Sequence, residues 1–449
     1  MMIKIGKKIT SAVLASCVLC SIFSVSAFAV SDNEVGSDNY NTEAVKLSFG
    51  YAHSAYITEN GDLYTWGVND VGRLGDGTTI DKYTPTEIMD NVKTVSLGNG
   101  HSGAITENGD LYMWGYNKGG QLGDGTTTNR HIPIKVMSNV KSLSVGGYHS
   151  GAITENGDLY MWGYNNWGQL GDGTTGSSLT PKKIMSNVKA VDLGTYHSGA
   201  ITENGDLYMW GWNHYGQLGN GTTTDGYIPT KVLSNVKAVS LGDGHNGAIT
   251  ENGDLYTWGY NRNGELGDGT TDKRLTPERV MSNVKAVSFG YRHSGAITEN
   301  DDLYMWGYNR NGQLGDGTTT DRYTPTKIMC NVRALGLGSF YSGVINENYD
   351  LYMWGDNYFG ELGDGTTTDR NTPTKIANLF DLKPGDVNLD GTVSIDDVTL
   401  AQKYIANMEE LDSKQLKAAD VTVDGDVSID DVTKIQKYIA GLISSLSNA

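Results

Sequence analysis

The residues best placed to do chemistry lie near the C-terminus. Asp386, Asn388, Asp390, Ser394 and Asp397 stand at positions 1, 3, 5, 9 and 12 of a twelve-residue stretch with Gly391 at position 6. Thr392, at position 7, offers its backbone carbonyl. That is the oxygen-ligand spacing of an EF-hand calcium loop, in which the glycine makes the sharp turn. Asp397 replaces the usual Glu, so its bidentate reach is shorter. The pattern returns 34 residues on as Asp420, Thr422, Asp424, Ser428 and Asp431, with Gly425 at position 6 and the Asp426 carbonyl at position 7. Thr422 is a weaker ligand than Asn, so the second site is expected to be moderately weakened at most. Six carboxylates in two short loops repel one another unless a cation sits among them. Two Ca²⁺ ions are therefore predicted.

Other candidate chemistry dissolves into periodicity. Histidines recur at His53, His101, His149, His197, His245 and His293, one every 48 residues, and Tyr341 takes the next place. Equal recurrence points to local hydrogen bonding rather than a metal ring. Glutamates recur at Glu59, Glu107, Glu155, Glu203, Glu251, Glu299 and Glu347 beside Asn in a turn, where they read as solvated. A glycosidase needs one particular carboxylate pair, and nothing marks out two of these. No Ser-His-Asp, Cys-His or zinc spacing stands apart from the repeats, so no catalytic residue is assigned.

The positioning elements follow from the same period. Trp-Gly pairs begin at Trp66, Trp114, Trp162, Trp210, Trp258, Trp306 and Trp354, and a proline keeps the same step from Pro85 to Pro373. A repeat of this length signals a solenoid, propeller or array. Within 236–282, Val236 to Leu241 alternates apolar and polar residues, as in a half-buried strand. His245 to Thr250 reads as a second strand, Asn252-Gly253 as a hairpin turn, Leu255 to Trp258 as a third strand, and Thr276 to Met281 as a fourth, proline-led edge strand. Four short antiparallel strands repeated seven times predict a seven-bladed β-propeller, whose ring leaves no exposed terminal unit. A solenoid would want polar capping repeats, and the first and last copies are not distinctly polar.

Gly-x-x-His-Ser-x-Ala-Ile-Thr, Leu-Tyr-x-Trp-Gly-x-Asn and Gly-Gln-Leu-Gly-Asp-Gly-Thr resemble the repeats of the regulator of chromosome condensation (RCC1) family. The resemblance covers residues 45 to about 380 and implies the same propeller. It also implies that the tryptophans and the Asp-Gly-Thr-Thr turns are scaffold. The nuclear nucleotide-exchange role of that family requires an intracellular GTPase, which a secreted chain would not meet.

Each calcium loop leads into a helical segment, Val398 to Ile405 and Val432 to Ile439, without an entering helix. This duplicated arrangement resembles a type I dockerin, and the fold class is thus mainly β with a small all-α C-terminal module. The resemblance implies a cohesin partner on a scaffoldin or cell surface, within a cellulosome-like complex that degrades polysaccharide. It also implies that cohesin is met by Ile395, Asp396, Lys403 and Tyr404 in one half and Ile429, Asp430, Lys437 and Tyr438 in the other. The two halves are nearly alike, so docking in either of two orientations is expected. Ile-Asp departs from the family's commoner small hydroxyl pair, which leaves cohesin specificity open.

Lys4, Lys7 and Lys8, an apolar run from Ile9 to Phe28, and Ala27-Phe28-Ala29 read as a secretory signal peptide over residues 1–29. Leu14 to Cys17 also resembles a lipobox, with lipid on Cys17 as the alternative. Residues 30–42 are a short flexible lead-in, 43–380 the propeller, 381–385 a linker and 386–445 the dockerin. No span would remain in the mature chain, and localisation is expected to be extracellular, with a scaffoldin as the route to a cell surface. The formal charge is −18, or −21 once the three leader lysines are removed. That charge argues against a nucleic-acid or anionic-membrane surface, since both call for a basic patch, and favours cations and partners that are neutral or basic. Cys330 alone would remain as a cysteine, so no internal disulfide forms.

Specificity is expected where the copies disagree. Trp167, Trp212, His214, Tyr215, Arg262, Arg310, Tyr358 and Phe359 lie in or just beyond Trp-Gly-x-Asn and are the candidate binding loops for a protein or polysaccharide. A non-catalytic binding protein is the leading reading. A glycoside hydrolase is the alternative, because dockerins often carry one. So is an inhibitor of secreted enzymes, because some secreted bacterial propellers of this repeat type block β-lactamases.

Overall fold

A computed structural model describes residues 46–58, 60–379, 383–411 and 413–446. The expected leader and lead-in lie outside them, as does part of the expected linker. The chain divides into two compact units at Ala377/Asn378.

The first unit is seven four-stranded antiparallel sheets, each built from one contiguous repeat. In the fifth blade the strands run Val236–Leu241, His245–Thr250, Leu255–Gly259 and Arg274–Met281. The fourth strand starts two residues before the expected Thr276. Pro277 therefore lies inside it rather than leading it. Register slips between Thr257↔Glu278 and Gly259↔Arg274, and the proline falls in that irregular stretch. An outermost strand tolerates the missing N–H there.

All seven tryptophans are fully buried. Each indole crosses to the preceding blade: Trp114 Nε1 donates to Arg73 O at 2.8 Å and Trp162 Nε1 to Gln121 O at 2.9 Å. Close approach also explains the glycine after Leu122. A Cβ on Gly123 would lie 2.7 Å from Trp162 Nε1, and its φ of +75° already favours glycine. The ring closes by the same contacts, Trp66 Nε1 donating to Glu361 O at 2.8 Å. Among the described residues no strand is exchanged across the seam.

The histidines form a second set of inter-blade links. His101 Nε2 lies 2.9 Å from Ser150 Oγ, and that hydroxyl donates to Gln121 O at 2.8 Å. The serine proton is thus committed, so the imidazole carries its hydrogen on Nε2 and donates. At His197 the acceptor is Asn246 Oδ1, at 2.6 Å, while Asn246 Nδ2 donates to Gln217 O. Nδ1 of all six histidines is buried without a partner. At the seam Tyr341 replaces the histidine and donates to His53 O at 2.7 Å.

One inner-strand residue departs from its equivalents. Ser96 Oγ accepts from Val145 N at 2.9 Å, whereas the same place in the fourth blade holds Asp192, whose Oδ2 accepts from Leu241 N at 2.6 Å. Burial pushes this carboxyl up to about 7. A raised carboxyl favours the folded state only while protonated, so Asp192 weighs against folding as pH rises through 7. Asp192→Ser is expected to stabilise the propeller by about 1–3 kcal/mol at pH 8 and by less at pH 6, where Asp192 is mostly protonated in the folded state. Urea midpoints at the two pH values check this; equal shifts at both would refute it.

The second unit has three helices, α1 Ile395–Ile405, α2 Ser413–Ala419 and α3 Ile429–Ile439. The helix α2 was not anticipated, although Gln415-Leu-Lys-Ala-Ala419 is made of good helix formers. Val387, Val398, Ala401, Ala419, Val421, Val432 and Ile435 make its core. Among the described residues no helix is long and apolar enough to cross a membrane.

Candidate functional sites

In the second acidic loop Asp420, Asp424 and Asp431 bring one carboxylate oxygen each within 4.8 Å of the others. Ligands around a single calcium at roughly 2.3–2.6 Å cannot be much farther apart, so the residues fit the ion. Ser428 caps α3, and Asp431 completes a capping box with it. Asp431 Oδ1 accepts from Thr422 N at 2.8 Å and Oδ2 from Ser428 N at 2.9 Å. Burial opposes its charge, but these backbone donors outweigh it and hold the carboxyl below its usual range. Asp426 and Thr422 flank the triad, exposed and half-buried.

The first loop repeats the frame. Asp397 Oδ1 accepts from Asn388 N at 2.9 Å and Oδ2 from Ser394 N at 2.7 Å, with Ser394 capping α1. Asp386 accepts from Asp390 N and Gly391 N. Its carboxyl is pushed up, first by burial and then by neighbouring Asp397 and Asp390. Here the carboxylates are less tightly gathered. Asn388 Nδ2 donates to Asp390 Oδ2 at 2.9 Å, and Thr392 Oγ1 to Asp390 Oδ1 at 2.7 Å. The side-chain amide that makes Asn388 the better ligand by type also engages Asp390. Geometrically the second loop is the more closely assembled one, contrary to the ranking by residue type.

Of the residues implied to meet cohesin, Ile395 and Ile429 are 62% and 60% exposed, large values for isoleucine at a helix start. Asp396, Asp430, Lys403 and Lys437 are exposed as well. Tyr404 and Tyr438 instead pack against the module's core.

On the propeller, the variable positions converge on one face. His149 pairs with Gly163, which brings Tyr148 and Tyr164 side by side although they are sixteen positions apart. Their rings lie 6.2 Å apart, and Tyr148 stacks on Tyr196 of the next blade at 5.4 Å and 18°. Tyr196 meets Trp212, and Trp212 touches Trp167, His214 and Tyr215. Tyr215 meets Tyr260 at 4.9 Å, and the Arg292 guanidinium lies 5.6 Å from the Tyr260 ring centre. Arg292 also covers Tyr291, which meets Phe340, and Phe340 meets Tyr308. This belt runs unbroken from the third blade to the seventh. In the first and second blades the matching places hold Ala52, Val68, Asn99 and Gly100, with Tyr51 and Tyr116 the aromatics there.

Trp167, Trp212, His214 and Tyr215 thus come together, and Arg262 and Arg310 stand exposed beside the belt. Tyr358 and Phe359 form an edge-to-face pair of their own at 4.7 Å. In the sequence Tyr148, Tyr196, Arg292 and Phe340 stand just before the ring histidines or Tyr341, a second place where the copies disagree, while nothing there marks Tyr164 or Tyr260. The signal that finds them is the hairpin register, which makes residues sixteen apart neighbours.

Buried acids elsewhere have structural partners. Glu265 accepts from Asn263 N and Asn263 Nδ2, and Glu361 accepts from Phe359 N at 2.9 Å. The turn aspartates are bound to basic residues, as Asp124 is to Arg130 and Asp316 to Arg322.

Residues 28–294 match the RCC1-like domain, with single RCC1 repeats matched at 284–313, 300–343 and 350–387. Residues 384–440 match the type I dockerin domain. The structure is similar to that of Prp20p from Saccharomyces cerevisiae, with a TM-score of 0.65 and 22% identity over 73% of this chain and 89% of that one. It is also similar to human WBSCR16, with a TM-score of 0.62 and 22% identity over 68% and 87%. At that identity the likeness establishes the fold. A Ras guanine nucleotide exchange factor C of Dictyostelium discoideum is 46% identical over 43 residues, 10% of this chain and 3% of that protein.

Proposed function

The chain belongs to the RCC1-like domain family and carries a type I dockerin, and from that premise we propose that it is a secreted, non-catalytic binding component of an extracellular assembly. The dockerin holds two calcium ions and docks on a cohesin of a scaffoldin through Ile395, Asp396, Lys403 and Tyr404 or through Ile429, Asp430, Lys437 and Tyr438. The propeller takes a protein or polysaccharide on its belted face. The observation that carries the reading is the closely gathered triad Asp420, Asp424 and Asp431, framed by a cap that a calcium-bound loop would share. The positive leader supports export, and the structural partners of the buried acids support a binding rather than a catalytic role.

Pull-down from culture fluid with the full chain, with and without chelator, tests it. A cohesin-bearing partner is expected to be lost on chelation, while the propeller's ligand is retained. The same partners under both conditions would refute calcium-dependent anchoring.

A further inference from the structure

We propose that the belted face, across the fourth to sixth blades, binds a polysaccharide bearing carboxylates, that is, a chain of uronic acid residues. This rests on the reading of the propeller as a binding module and names its ligand class.

Charge complementarity is the first argument. The chain as a whole carries −18 and repels a polyanion, so a carboxylate ligand needs cations left unpaired at one place, and the chain has ten arginines. Six are in ion pairs, and Arg292 and Arg333 lie over tyrosine rings. Only Arg262 and Arg310 remain exposed with no bonded partner among the described residues. They occupy the same slot in adjacent blades. Arg292 lies over the Tyr260 ring, and Arg262 follows Tyr260 by two residues as Arg310 follows Tyr308. Glu265 and Asp243 offset Arg292, so the unspent charge belongs to Arg262 and Arg310. A free guanidinium fork matches a carboxylate's two oxygens.

Shape is the second argument. Tyr215, Tyr260, Tyr291 and Phe340 make a strip, not a deep cavity. Near it, at the mouth of the central channel, the opening holds only about 100 Å³. A pyranose presents a flat face of C–H groups that lies on an aromatic ring, and rings in succession suit a polymer with one such face per unit. Two equivalent arginines one blade apart suit a charge that recurs along the same polymer. An acidic peptide would supply the charge without the repeated flat faces.

Calorimetry with the full chain decides it, using an oligogalacturonate, its methyl ester and a neutral β-glucan oligomer as probes. The oligogalacturonate is expected to bind, with affinity falling as salt rises. Arg262→Ser/Arg310→Ser is expected to weaken it roughly tenfold or more, and Tyr215→Ala to weaken it separately. These side chains are exposed, and circular dichroism reports whether the variants stay folded. Methyl ester binding as tight as the acid, or an unaffected double variant, would overturn the uronate assignment. So would preference for the neutral oligomer or for an acidic peptide, although a binding function would then stand. A chain that takes no glycan and no protein ligand would overturn both.

Discussion

Lowering the pH from 7.5 to 5 is expected to unfold the propeller. A histidine in the unfolded chain titrates near 6.5. Burial lowers His101, His149, His245 and His293 to about 3 and His197 to about 4, and lowers His53 as well. The structural reason is the unpartnered Nδ1: a second proton there would be buried with nothing to accept it. Folded pKa values below the unfolded one mean stability that is complete above about 6.5 and is lost as pH falls toward the folded values. Two acids act in the opposite sense. Asp192 and Glu361, raised to about 7 chiefly by burial, hold protons in the folded state that the unfolded chain would release at pH 5. Six histidines gain a proton on unfolding and two acids lose one, leaving a net uptake of about four. At ~1.4 kcal/mol per pH unit and proton, the slope is on the order of 5 kcal/mol per pH unit. Against a stability of about 5–15 kcal/mol, the acid midpoint falls near pH 5. Urea unfolding followed by tryptophan fluorescence at pH 7.5, 6 and 5 measures it. His149→Gln should reduce the slope by about one proton. A midpoint unchanged between pH 7.5 and 5 would dismiss this account.

The same residues show where sequence reading stops. A period of 48 with Trp, His and Pro in fixed places leads to the blades directly, because each sheet is one contiguous repeat and, among the described residues, no strand crosses the seam. The calcium loops are legible for a similar reason, since their ligands lie within twelve residues. The belt is not local. Tyr148, Tyr164 and Tyr196 become one surface only when strand register and blade packing are known. Trp167 and Tyr215 could be singled out by size and by difference from their equivalents. Tyr164, Tyr260 and Tyr308 recur in place after place, so difference between copies does not mark them, though they complete the strip. Tyr358 and Phe359, large and different from their equivalents, pair with each other and stand outside this chain of ring contacts. Ranking the calcium loops by residue type leaves out that a side-chain amide donates as well as accepts. Asn388 spends its N–H on Asp390, a contact that no ligand table contains.

The second loop is therefore where loss of one carboxylate should be felt most. Asp431 takes part in three things at once: the oxygen triad, the capping box of α3, and the tie to Thr422 N that closes the loop. Asp431→Ala removes a calcium ligand and the N3 half of the capping box together, leaving Ser428 N without its side-chain acceptor. Metal affinity at that loop is expected to fall at least 100-fold, a larger loss than the roughly 10–100-fold seen when only a supporting residue is changed. Because calcium binds the folded module and scarcely the unfolded one, the loss appears as stability. Differential scanning of the full chain should show a low-temperature transition that moves up with calcium, and Asp431→Ala should remove most of that dependence. Asp397→Ala tests whether the first loop carries equal weight. If its metal is held less tightly for want of a gathered triad, Asp397→Ala should shift the calcium-dependent transition less than Asp431→Ala does. Equal shifts would show that calcium itself draws Asp390 away from Asn388 and assembles the first loop as completely as the second. A transition indifferent to calcium in the unmodified chain would remove the basis for anchoring through this module.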